Sequence, residues 1–211
     1  MQNYLACLLV LCAADCVVAP PQFAADCEIT TRASGIKHLV FFSCDWSFDA
    51  TVTGVGAVGA ITDYTQWELG ITNNKIGLSP EGFGSKPLST FATERVSACL
   101  PEAIVGETHT LNFTSKAVDA DNLTDCTYWN SVRTNYSRYR FGYIGCDDLF
   151  YGYSSTEPGF RFVPTALGLV KEDNSDTVDR YEANLSWKYS GIVCPQSIPN
   201  LMLAFNTAPG S

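Results

Sequence analysis

The chain has 211 residues, of which 46% are apolar, 12% aromatic and only 17% charged, a composition that excludes a disordered chain. Thirteen Lys and Arg against 22 Asp and Glu leave a formal charge of −9, the opposite sign to a surface that grips phosphates, so tight nucleic-acid binding is disfavoured. A negative wall past which nucleic acid slides without sticking is compatible with that charge.

In chain order, Tyr4 to Ala14 comes first. It reads YLACLLVLCAA, an uncharged apolar run shorter than the about 20 residues a membrane-spanning helix needs, so no membrane insertion is expected. It lacks the basic start of a secretory leader, because the first cation is Arg32. A lipoprotein reading on Cys12 or Cys16 fails for the same reason. Residues 1–26 are read as a retained apolar arm, with a removed leader as the alternative.

Residues 27–192 read as a β domain. Val40, Phe42, Cys44, Trp46 and Phe48 alternate along one face of a strand, and Gly54 to Gly59 reads as a turn after it. Trp67, Leu69 and Ile71 give a shorter alternating run. Ser79 to Glu107 is rich in glycine and proline at its start and lacks sustained alternation, which reads as a long loop of the kind that docks on a partner. Leu111 and Phe113 mark the next strand. From about Asp119 to Arg133 the period changes: Leu123, Cys126, Trp129 and Val132 recur every three residues, with Asp119 and Asp121 able to cap the start, which predicts one helix lying on the sheet. Strands resume at Tyr139, Phe141 and Tyr143. The cleanest alternation is Tyr181, Ala183, Leu185, Trp187 and Tyr189 against Glu182, Asn184, Ser186, Lys188 and Ser190. Residues 193–211 read as a second arm, with Pro195, Pro199 and Pro209 around the apolar Leu201 to Phe205 cluster; packing back onto the core is the alternative. The fold class is therefore mainly β, an antiparallel sandwich or barrel-like sheet with one flanking helix and extended terminal arms.

The nine cysteines, Cys7, Cys12, Cys16, Cys27, Cys44, Cys99, Cys126, Cys146 and Cys194, contain no CxxC pair. Cys44 and Cys126 fall on apolar faces, where a reduced thiol acts as a small hydrophobe. A disulfide framework with one cysteine left over is the second reading. Sequons at Asn112, Asn122, Asn135 and Asn184 would suit a secreted glycoprotein, but their number is only slightly above chance, and Asn184 sits inside a strand pattern.

Chemical motifs are weak. Gly54-x-Gly56-x-x-Gly59 has the letters of a dinucleotide fingerprint, but Ala60 to Trp67 reads as β-like where a helix is required. Asp119 to Asp125 resembles the opening of a calcium loop, yet Thr124 and Asn130 stand where glycine and glutamate belong. Asp173, Asp176 and Asp179 read as a solvated turn. His38 and His109 lie in or beside strands without a nucleophile signature, and Cys146-Asp147-Asp148 reads as a turn. No catalytic, cofactor-binding or metal-ligating residue is assigned, and no enzyme activity or cofactor is expected.

Two segments resemble tail-tube proteins of tailed bacteriophages, of the type found in phages of Bacteroidetes-like hosts. Cys27-Glu-Ile-Thr-Thr-Arg32 followed by Gly35-Ile-Lys-His-Leu-Val40 is similar to that family's opening. Tyr181-Glu-Ala-Asn-Leu-Ser-Trp187 leading to Pro195 is similar to its closing strand and tail. The resemblance covers about a fifth of the chain. It implies a virion structural protein made in the host cytoplasm, whose copies pack sideways into rings. Stacked rings would form a conduit through which DNA passes without tight binding, with other virion proteins as neighbours. The long apolar start, the Ser79 to Glu107 connection and the cysteine count depart from that pattern, which leaves a capsid decoration, tail terminator or head-neck role open. The competing reading is a secreted or surface β-sandwich binding module stapled by disulfides.

Overall fold

Alternating apolar residues become strands where one face can be buried. The computed structural model describes residues 35–48, 60–94, 103–115, 123–152, 158–170, 180–189, 195–198 and 200–206. Among the described residues, ten strands form one antiparallel sheet: β1 (Ile36–Ser43), β2 (Ile76–Leu78), β3 (Gly82–Ser85), β4 (Thr90–Glu94), β5 (Ala103–Ser115), β6 (Tyr139–Gly145), β7 (Phe150–Tyr151), β8 (Val163–Val170), β9 (Arg180–Lys188) and β10 (Pro195–Gln196). Their order is β10-β7-β6-β1-β3-β5-β9-β8, with β2 also on β1 and β4 also on β5. Three α-helices accompany them among the described residues: α1 (Tyr64–Thr72), α2 (Leu123–Asn135) and α3 (Leu201–Asn206).

The sheet curls strongly. β6 and β9 are four strand steps apart, roughly 19 Å in a flat sheet, yet the rings of Phe141 and Trp187 meet at 5.0 Å between centroids. The concave interior holds Leu39, Phe41, Leu111, Phe113, Phe141, Leu185 and Trp187, and Trp129 and Val132 of α2 pack into the same core. Glycine permits the close approach at the bend: a Cβ on Gly84 would stand 2.9 Å from Ile36 Cβ and 3.0 Å from the Phe113 ring.

The opposite face of β1, β6 and β7 builds a second core. Val40, Phe42, Ile144 and Phe150 meet Phe48, Ile61 and Trp67 from the α1 side and Ile198, Leu201 and Phe205 from the carboxyl end. Strand β1 is therefore buried on both faces, a pattern usual for sheets covered on both sides. Trp67 is fully buried, and its indole N–H donates to the Ile61 carbonyl at 2.6 Å.

The mainly antiparallel β class stands, with four differences of detail. Trp67 to Ile71 is helix, not strand. Asp63 caps α1 by accepting from the Thr65 N–H at 3.0 Å and the Thr65 hydroxyl at 2.8 Å, and the turn then buries Trp67 while Leu69 points outward at 49% exposure. The Ser79 to Glu107 stretch, expected as a loop, contains β3, β4 and the start of β5, because β5 is long enough to pair with both in succession. The described part of the carboxyl-terminal arm returns to the chain's own core through β10 and α3, so the single flanking helix of the sequence reading is joined by α1 and α3 on the other face. Strand β1 ends at Ser43, short of Trp46 and Phe48. Residues 1–26, the Gly54 to Gly59 run, Asp119 and Asp121, and Asp173, Asp176 and Asp179 lie outside the described residues.

Candidate interaction surfaces

Strand β5 is the longest, and its two halves live in different surroundings. Thr108 to Thr114 pair with Lys188 to Glu182 of β9. Beyond Thr108, toward Ala103, β5 pairs only with β4 among the described strands. The result is a two-stranded ribbon that leaves the sheet, and every residue of β4 is exposed. A ribbon of two strands is marginal alone in water. This one exposes Phe91 and Val105, each at 56%, and Leu88 stands just before it at 94%.

The ribbon is anchored where His109 enters the core. His109 is 2% exposed and stacks on Trp187, with centroids 5.2 Å apart and planes 16° from parallel. Its Nε2 lies 3.0 Å from the Tyr189 carbonyl and 3.2 Å from Glu107 Oε1, while Ser89 Oγ donates to the same carboxylate oxygen at 2.5 Å. Two acceptors around Nε2 require that nitrogen to carry a proton. In a Ser-His-acid relay the imidazole stands between hydroxyl and carboxylate. Here the carboxylate stands between hydroxyl and imidazole, which gives a tether from the ribbon to the sheet.

The other candidate residues have local partners. His38, also buried, donates from Nδ1 to the Ser79 carbonyl at 3.1 Å, and the Ser79 hydroxyl accepts from the Leu39 N–H at 2.8 Å. Burial holds its pKa below the ordinary value, because the charged form loses hydration. Cys146, Asp147 and Asp148 stand in the turn after β6. There Asp147 accepts from the Leu149 N–H at 3.2 Å and the Tyr151 hydroxyl at 3.1 Å. Asp125 lies in the first turn of α2, and partial burial raises its pKa. Cys126 is exposed rather than core-facing, Cys44 is half-buried and Cys146 is exposed; none of the three is in a disulfide. Among the described residues, no cluster of three His, Cys, Asp or Glu is placed to hold a metal ion, and no helix is long and apolar enough to cross a membrane.

Strand β8 forms one end of the sheet and pairs only with β9 among the described strands. Its sequence, VPTALGLV, carries no charge. Free edges are normally guarded by charge, proline or a bulge. Pro164 and the irregularity between Pro164 and Ala166 guard the first part of β8, and nothing of that kind guards Ala166 to Val170. Across β5 and β9, the face turned away from the core presents Thr110, Asn112 and Thr114 beside Ser186, Asn184 and Glu182. The Asn112 and Asn184 sequons are direct cross-strand neighbours there.

Sequence reasoning marked the stretch that holds the ribbon as one that docks on a partner, though as a loop, and it missed the β8 edge, because periodicity finds strands without saying which edges stay open. The uncharged VPTALGLV run was the available signal. No protein-family model matches the sequence, and no curated protein matches it. Among solved structures, the chain is similar to one from the "virion of native gene transfer agent (GTA) particle", at 14% identity over 54% of this chain and 83% of that one, with a TM-score of 0.31.

Proposed function

We propose that this chain is a virion structural protein, a tail-tube-like subunit whose copies join side by side into rings that form a conduit for DNA. The carrying observation is the pair of surfaces suited to other copies: the unguarded edge of β8, and the β4–β5 ribbon with Phe91 and Val105 exposed. Closing such edges against neighbours removes the aggregation hazard that an open sheet carries. The resemblance of Gly35 to Val40 and of Tyr181 to Trp187 to tail-tube proteins supports the same reading. The net charge suits a conduit to which DNA does not adhere. The protein acts in the particle, among other virion proteins, after synthesis in the host cytoplasm, and its role is structural rather than enzymatic.

Negative-stain electron microscopy of the purified chain over a concentration series, with and without reductant, tests this. Rings or tubes that persist under reduction are expected. Compact monomers at every concentration would overturn the tube reading, and a monomer that unfolds on reduction would transfer the assignment to a secreted β-sandwich binding module.

A further inference from the structure

A cleft of about 450 Å³ opens beside α2. Phe41, Val132 and Tyr128 line it with apolar surface; Lys75, Arg138, Ser131 and Tyr139 supply cations and hydroxyls. Two observations point to an occupant. The Tyr128 hydroxyl is fully buried and has no hydrogen-bond partner among the described residues. Arg138 also lines the cleft, is exposed and has no ion-pair partner among the described residues, while Lys75 is held 2.6 Å from Asp45. In a chain of net charge −9, this is a local positive site with an apolar floor.

We propose that the cleft receives the acidic segment Glu172–Asp179 of a second copy of this chain. The inference rests on the assembly reading above and names one contact within it. The segment carries Glu172, Asp173, Asp176 and Asp179, with Val178 as its apolar side chain, so its charge is complementary to Lys75 and Arg138. It joins the end of β8 to the start of β9, where Tyr181 stacks on Trp129 of α2 at 6.3 Å; on another flank of that helix, Phe41 of the cleft meets Tyr128, also at 6.3 Å. A segment of one copy entering a cleft built from other residues of the next is a head-to-tail contact, the type that closes rings.

The test uses charge reversal in two full-length variants. One carries Arg138→Glu. The other carries Asp173→Lys with Asp176→Lys. Association is read by sedimentation velocity, and folding by circular dichroism. Each variant alone should need an about tenfold higher concentration to associate than the unmodified chain, and an equimolar mixture should restore association, because each bad pairing has a good one in trans. Variants that associate alone as the unmodified chain does would overturn the contact and leave the assembly reading standing, as would folded variants that mixing does not rescue. If the unmodified chain stays monomeric throughout, the assembly reading fails separately. A fluorescein-labelled peptide of residues 171–180 then decides the contact. Saturable binding that is lost in Arg138→Glu and weakens about tenfold from about 0.05 M to about 0.5 M salt sustains it, and absence of binding overturns it.

Discussion

Replacing Trp187 by alanine tests the curled sheet most directly, because this ring joins parts of the sheet that a flat arrangement would keep apart. Trp187 is 2% exposed, and its ring lies 5.0 Å from Phe141, 5.3 Å from Phe160 and 5.2 Å from His109. Its indole nitrogen is buried without a hydrogen-bond partner among the described residues, so truncation removes packing and no hydrogen bond to them. Burying about 200 Å² of aromatic surface at about 25 cal/mol per Å² gives an upper figure near 5 kcal/mol, and a partly compact unfolded chain lowers it. With an incompletely collapsed cavity, the expected loss is about 3–5 kcal/mol. For a chain of this size that lowers Tm by roughly 6–20 °C, read by urea and thermal unfolding with circular dichroism. The neighbouring Lys188→Ala, on the exposed face, should change stability by less than about 0.5 kcal/mol. A loss below about 1 kcal/mol for Trp187→Ala, or equal losses at the two positions, would refute both the register of β9 and the curl that brings Phe141 to it.

Asp63→Ala should cost about 1 kcal/mol in urea unfolding by removing the cap of α1, with Asp63→Asn or Asp63→Ser recovering most of it. Gly159→Ala should cost more than about 2 kcal/mol. The backbone there has φ of +76°, and the new Cβ would lie 2.8 Å from the Phe141 carbonyl oxygen; a neutral result would place that turn elsewhere. Because burial lowers the pKa of His38 from its ordinary 6.5, the unfolded chain takes up that proton first as pH falls. Its contribution to stability is therefore complete above pH 6.5 and declines below it until folded His38 also protonates, and His38→Gln should flatten this step in urea midpoints measured across that interval. Leu169→Lys, on the unguarded half of β8 at 44% exposure, should leave folding intact and raise the concentration needed for assembly about tenfold, as seen by sedimentation.

Alternation made β9 legible from its sequence because one face is buried and the other is not: Tyr181, Ala183, Leu185 and Trp187 all face inward. The period of α2 was legible for the same reason, with Trp129 and Val132 both buried. Where the surroundings are not two-sided, the signal failed. In β1 both faces are covered, so Leu39 and Phe41 are as deeply placed as Val40 and Phe42, and alternation there carried no inward or outward meaning. In α1, Trp67, Leu69 and Ile71 alternate by accident of composition. The Asp63 cap and the one-turn spacing of Trp67 and Ile71 were the helical signals, and both are short-range. The exposed strand β4 has no inner face to leave a pattern, so it reads as loop until β5 is seen beside it.

The site chemistry was less legible, since it depends on meetings across the sheet. Nothing in the sequence ties His109 to Trp187 and Tyr189, 78 and 80 positions later; the β5–β9 register does so. The same register bears on the expectation that net charge describes a conduit wall. The outward face of β5 and β9 carries Glu182 beside Lys188 and Arg180, with threonine, serine and asparagine filling the remainder, so this face is close to neutral although the chain is at −9. If this face lines a lumen, DNA passes it because hydroxyl and amide groups offer no cluster of cations to hold phosphates, and repulsion from carboxylates is secondary. The acidic excess is then free to act between copies, which is the role assigned to Glu172–Asp179 against Lys75 and Arg138.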